Sequence, residues 1–263
     1  MKRFFTARNL PLMVLFACVP GLLLRIWTRG PGPDAGNLFE PRPLAWTLLC
    51  LLTLGLAVLI LFLSKDLKHQ GSYEQNYPKS VLSGLCGIPA AVIFMVTGYG
   101  QLRSHIGLMD PTTNVMDTVA GIAGIVAGVC LVLCALSRLR GKQPFFLLHG
   151  VVSLYLAIRL FEHCQGWQNQ PQVVNALLPF AASVALMLAT WHRCSFDVEL
   201  GKRPLSLLWS LMSVYLCVLA IFSFEEPLFY GLCALWMISD LCSLEPLEPA
   251  VVAEAPEQEP EEE

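Results

Sequence analysis

The sequence predicts an all-α fold: a polytopic transmembrane helix bundle of about eight spans with both ends in the cytoplasm. Three observations predict it. First, of 263 residues 55% are apolar and only 14% charged, with mean hydropathy +0.59. A soluble domain of this size needs a charged surface that such a composition does not supply. Second, the apolar residues fall in runs close to the roughly 20 needed to cross a bilayer core. Third, Lys and Arg alternate between sparse and dense loops. Twelve fall on one side: Lys2, Arg3, Arg8, Lys65, Lys68, Lys79, Arg138, Arg140, Lys142, Arg193, Lys202 and Arg203. Four fall on the other, at Arg25, Arg29, Arg42 and Arg103. Cytoplasmic loops carry the excess of basic residues, so the dense side is read as cytoplasm.

The runs that justify the spans cover residues 10–24, 44–63, 81–99, 115–136, 145–161, 173–191, 205–222 and 228–241. Lys2, Arg3 and Arg8 before the first run imitate a signal peptide, and Leu15-Phe16-Ala17-Cys18 imitates a lipoprotein cleavage box. The run continues past Cys18 through Leu22-Leu23-Leu24, and bulky Phe16 sits where a small residue is usual, so an uncleaved first span is expected. The 29–43 loop is rich in Gly and Pro and reads as irregular. Pro20, Pro89 and Pro179 fall inside spans one, three and six. Broken helices can mark a transporter's midplane site, but proline is also common in membrane helices without such a role. The eighth run is the weakest. Only Glu225-Glu226-Pro227 separates it from the seventh, and it reads as a full span or as a re-entrant or tilted piece. Trp27, Trp46, Tyr99, Trp191 and Trp209 fall at expected interfaces.

Two domains follow: a transmembrane helical domain, 1–244, and an acidic tail, 245–263, with eight Glu, four Pro and no Lys or Arg. So little apolar surface cannot offset the entropy of folding, and a disordered cytoplasmic tail is expected. Gly141-Lys142-Gln143-Pro144 and Gly201-Lys202-Arg203-Pro204 hint at a repeat with an offset of 60, carried on through Ser153/Ser213 and Tyr155/Tyr215. Two basic loops that each end in a proline at a helix start would look the same.

Few residues carry candidate chemistry. In span five, Tyr155, Arg159 and Glu162 share a face at helical spacing. A guanidinium at that depth costs a few kcal/mol unless it is paired or snorkels to the interface. Arg159 is expected to be ion-paired inside the bundle, with Glu162 and Asp117 the favoured carboxylates ahead of Glu225 and Glu226. These residues outline an outward-facing polar pocket; the plain alternative is an arginine snorkelling beside its own glutamate. His149 and Asp240 lie nearer the cytoplasm and could form a proton relay. Gly121, Gly124 and Gly128 in span four make a small-xxx-small face suited to close helix packing. The ten Cys show neither Cys-x-x-Cys nor zinc-ligand spacing, and no disulfide framework or metal site is read.

Residues Thr190-Trp191-His192-Arg193-Cys194-Ser195-Phe196-Asp197, Gly201-Lys202-Arg203, Pro227-Leu228-Phe229-Tyr230, Leu235-Trp236 and Asp240-Leu241-Cys242-Ser243-Leu244 resemble a group of proteins. These are the uncharacterised polytopic membrane proteins of anaerobic Gram-positive bacteria of the Clostridia type. The resemblance covers the spans and excludes the tail. It implies a bacterial cytoplasmic membrane and no particular activity.

No catalytic motif, nucleotide-binding loop or cofactor signature is present, and nothing points to nucleic acid. The expected partners are membrane lipid and an unidentified protein. Two functional classes remain: a transport or permease-like component, suggested by the polar face of span five and the prolines, and a non-catalytic sensor, partner subunit or assembly module, suggested by the short loops and acidic tail. The Lys/Arg bias makes a direct prediction. Reporter fusions after Arg140, Lys202 and Leu244 should all report cytoplasm. A periplasmic signal at Leu244 with the other two inside would mean that the eighth run does not cross.

Overall fold

A computed structural model describes residues 9–29, 43–65, 73–107, 115–145, 147–167, 173–222 and 226–244. Its helices are α1 (Leu10–Arg29), α2 (Pro43–Ser64), α3 (Tyr73–Asn76), α4 (Val81–Gly107), α5 (Val115–Arg140), α6 (Leu147–Trp167), α7 (Val173–Asp197), α8 (Arg203–Ala220) and α9 (Pro227–Cys242). Among the described residues there is no strand. Seven helices are long and apolar enough to cross a membrane. Such helices are those of an integral membrane protein. The eighth expected span is α9, whose 16 residues extend about 24 Å, short of a core of about 30 Å. The expected tail, 245–263, and most of the irregular 29–43 loop lie outside the described residues.

Helices run several residues past the apolar runs that announced them. α4 continues to Gly107, α6 to Trp167 and α7 to Asp197. Hydropathy marks where lipid ends, whereas a helix stops only where its backbone hydrogen bonds do. The prolines at 20, 89 and 179 sit within continuous helices. They do not split a span into two.

Consecutive spans alternate in direction. α4, α5, α6, α7, α8 and α9 follow one another side by side, and α9 returns to α4, so six helices close a ring. The α1–α2 hairpin packs on the outside of α8. Helix α8 is thereby covered on two sides, and most of its side chains are buried. The ring has one end lined by the basic loops (Lys65, Lys79, Arg140, Lys142, Lys202), here called the basic end, and an opposite far end.

The tightest pairing is α4 on α5, and glycine explains it. A methyl group added at Gly98 of α4 would lie 2.6 Å from the Gly121 carbonyl oxygen. One added at Gly121 would lie 2.9 Å from the Gly98 carbonyl oxygen, and one at Gly128 would strike Met95 and the Ala91 carbonyl oxygen. A methyl at Gly124 would meet Gly98 and the Tyr155 ring, each at 3.0 Å. The expected glycine face on α5 is therefore a backbone contact with α4, completed by Gly98, which the spacing rule did not single out.

The two Gly-Lys-x-Pro segments differ in geometry. Gly141 has φ +69°, a left-handed conformation that favours glycine, whereas Gly201 is needed because any Cβ would enter the Phe196 ring. Pro204 lies in the first turn of α8, but α6 starts three residues after Pro144. The matching sequences do different structural jobs.

The glycine contact yields a controlled prediction. Gly98→Ala should force α4 and α5 apart and destabilise the protein by about 1–3 kcal/mol. Gly55→Ala, where a methyl meets nothing within 4 Å, should be neutral or slightly stabilising. Unfolding of both variants in detergent micelles checks this, and equal stability would remove the close-packing argument.

Candidate functional site

Buried charge is concentrated in two layers, one at each end of the ring. At the far end Arg159, on the inward face of α6, is fully buried. Its Nη2 is ion-paired with Glu226, the residue just before α9, and its Nε donates to His163 Nε2 at 3.3 Å. The guanidinium carbon lies 3.6 Å from the centre of the Phe229 ring, so the cation is also stacked on an aromatic face. Glu226 has φ +49°, a conformation that costs a non-glycine residue about 1–2 kcal/mol. It is held there between Pro227, which opens α9, and its pairing with Arg159.

The favoured partners are corrected accordingly. Glu162 accepts both contacts of Gln101 Nε2, at 3.0 and 2.9 Å, and faces α4. Asp117 is half-buried in the first turn of α5. Glu225 lies outside the described residues. Tyr155, as expected, is on the inward face; it is buried, its ring is 5.3 Å from that of Phe94, and its hydroxyl is 3.5 Å from Thr97 Oγ1. Tyr230 of α9 continues the polar lining, with its hydroxyl 3.2 Å from Ser183 Oγ and donating to the Pro179 carbonyl at 3.3 Å.

The basic end holds a larger network. Asp240, near the end of α9, is ion-paired with Arg193 Nη1 and accepts from Ser83 Oγ. Arg138 Nε lies 3.9 Å from the same carboxylate. Arg138 also donates to the Pro78 carbonyl at 2.7 Å and to Ser243 Oγ at 2.8 Å. Both arginines lie beside aromatic rings, Arg138 at 5.0 Å from Tyr77 and Arg193 at 5.1 Å from Trp236. Next to this network His149 Nδ1 is 3.0 Å from Asp197 Oδ2, and Gln143 Nε2 donates to the Asp197 carbonyl at 3.1 Å. The carboxylate expected beside His149 is thus corrected: it is Asp197, because Asp240 is already taken by arginine.

Helix α3 closes this end. Tyr73 and Tyr77 stack at 4.9 Å; Tyr73 lies 5.9 Å from His149, and Tyr77 meets Phe196 edge-on at 5.7 Å. The Tyr77 hydroxyl is 3.4 Å from Ser206 Oγ. Burial pushes the Tyr73 phenol well above its usual range, so this side chain stays protonated at physiological pH.

Sequence reasoning counted Arg138 and Arg193 as loop cations and did not see α3. A signal for the arginines was present. The buried stripe Ala120, Gly124, Ala127, Leu131, Cys134 on α5 reaches Arg138 at the same three-four spacing. The stripe Ser183, Leu186, Thr190 on α7 likewise reaches Arg193 and Asp197. Carried one turn beyond the apolar run, both stripes place a charge on the buried face. Among the described residues, no group of three or more His, Cys, Asp or Glu could hold a metal ion.

The two partners of the far-end pair differ in exposure, and this sets an order for their loss. The Glu226 side chain is 36% exposed, whereas Arg159 has almost none. Glu226→Gln strands a buried cation and should cost about 3 kcal/mol or more. Arg159→Met leaves a glutamate that water can reach and should cost less. The double variant should be more stable than Glu226→Gln alone. Denaturation in detergent checks the order; a Glu226→Gln protein as stable as wild type would show that the pair carries no stability.

No family model matches the chain, and no curated protein and no solved structure is similar to it.

Proposed function

We propose that this protein is a permease-like carrier of a bacterial cytoplasmic membrane, with eight crossings, both ends in the cytoplasm, and an ion-pair gate at each end of its helix ring. One observation carries the reading. The two charged layers close opposite ends of the same ring, and both draw their carboxylate from opposite ends of α9. Glu226 and Asp240 tie this short helix to α6 at the far end and to α5 and α7 at the basic end. A helix tied by charge at each of its two ends can release one end while keeping the other. That is the requirement for alternating access, in which one gate opens at a time. The polar pocket of Tyr155, Arg159 and Glu226 then faces outward, and α3 covers the cytoplasmic gate.

A second reading has its own support. Between the layers Phe94, Phe229 and Tyr155 are buried in ring-to-ring contact, with Phe94 5.1 Å from Phe229. A ring packed in this way suits a static module: a sensor, partner subunit or assembly factor.

Two native cysteines separate the readings without knowledge of a substrate. Cys233 lies two turns into α9 from Glu226, and Cys134 lies one turn before Arg138; both are buried. Reconstituted protein is treated with a charged, membrane-impermeant methanethiosulfonate from either side, and the modified cysteine is located by mass spectrometry. Glu226→Gln should expose Cys233 to outside reagent while Cys134 stays protected. Asp240→Asn, or Arg193→Gln where that variant folds better, should expose Cys134 from the cytoplasmic side only. Protection of both cysteines in every variant supports the static module, and exposure of both together in one variant rules out alternating gates.

A further inference from the structure

We propose that the far-end layer takes a small monocarboxylate, an acid anion of about propionate size, whose carboxylate replaces that of Glu226 on Arg159. This names the substrate class of the polar pocket and so rests on the carrier reading, while the binding site itself stands on the geometry of the layer. Arg159 is fully buried. Its Nε is used by His163, its flat face by Phe229 and its Nη2 by Glu226, but Nη1 has no hydrogen-bond partner among the described residues. A buried donor left without an acceptor is destabilising. One carboxylate can span both Nη atoms of a guanidinium, so the fork is suited to a second contact that Glu226 does not make.

Glu226 holds this place weakly. Its backbone is left-handed at φ +49°, where a non-glycine residue is disfavoured, and its side chain is 36% exposed. A carboxylate that arrives from water can take its position, with the glutamate released to solvent and its backbone free to relax. The exchange conserves charge. One carboxylate leaves the guanidinium as another arrives, and the buried cation is never stranded. The neighbours narrow the class. Glu162 lies about one turn along α6 and holds its own charge against Gln101, so a dianion such as phosphate would meet like charge there. Phe94, Phe229 and Tyr155 wall the inner side with rings, which suits a short apolar remainder. The group displaced is the three-carbon side chain of glutamate, and propionate has the same three carbons. Displacing Glu226 also unties the start of α9 from α6, so binding and release of that end are one event.

The test uses the full chain in detergent with Glu226→Gly. Glycine suits the left-handed backbone and leaves a gap the size of the missing side chain. Propionate should raise the thermal unfolding midpoint of this variant in a saturable way. Propionamide, with the same shape and no charge, should not, nor should sulfate. The wild type should bind propionate at least about tenfold more weakly, because tethered Glu226 competes at an effective concentration on the order of mM. Arg159→Met should bind none. Radiolabelled propionate on the wild type and Arg159→Met makes that comparison even where Glu226→Gly does not fold. A folded Glu226→Gly indifferent to propionate overturns the proposal. So does equal binding by Arg159→Met, or an equal response to propionamide or sulfate. Labelling of Cys233 by outside reagent keeps the two readings apart. Propionate that binds the wild type and exposes Cys233 supports both. Binding without exposure supports the site and counts against the gate. Exposure in Glu226→Gln without propionate binding in the wild type keeps the gate and overturns the carboxylate.

Discussion

An ionised side chain inside a helix ring must find its counter-charge there, because lipid and packed side chains cannot solvate it. The rest of this structure is arranged around that constraint. Arg138, Arg159 and Arg193 are all buried, and two carboxylates on one short helix, Glu226 and Asp240, serve them. Neutral hydrogen-bonding groups and aromatic faces complete the layers: Ser83 donates to Asp240, Ser243 and the Pro78 carbonyl accept from Arg138, and at the other end Arg159 donates to His163 and stacks on Phe229. Helix α9, too short to span in comfort, is positioned by these pairs as much as by its apolar face.

The charged layers need neighbouring helices to meet at close range, and glycine provides this. The Gly98–Gly121 contact brings α4 and α5 together backbone to backbone. Arg138 at the end of α5 can then reach Ser83 and Pro78 at the start of α4. At the far side of the same pair, Gln101 of α4 reaches over to Glu162 of α6. Substituting bulk into the glycine face would thus act on the polar network as well as on packing. The α3 segment adds aromatic cover: Tyr73 and Tyr77 stack on each other, Tyr73 beside His149 and Tyr77 beside Arg138.

This arrangement also separates two kinds of surface. The interior of the six-helix ring is polar at its ends and aromatic in the middle, and the carboxylates there are paired across helices. Outside the ring, where α2 leans on α8, the groove between α2, α7 and α8 is lined almost wholly by apolar side chains. Chemistry that discriminates charge belongs to the first, and contact with hydrocarbon to the second.

The amino-acid sequence by itself determined the helical class, the places of the seven long apolar helices and the face on which Arg159 and Tyr155 lie. Each of these depends on composition and on a 3.6-residue period, which are local properties. The glycine face of α5 was legible for the same reason. Only the tertiary structure decided which carboxylate each arginine meets. Helical spacing leaves Glu162 near enough to pair with Arg159, so what the neighbouring helices offer decides: Arg159 meets Glu226, 67 positions away at the start of α9, and Glu162 meets Gln101 of α4. Arg138 and Arg193 were hidden by a different cause. A cation after an apolar run looks like a loop residue until the helix is seen to continue, and continuation is decided by what packs beside it.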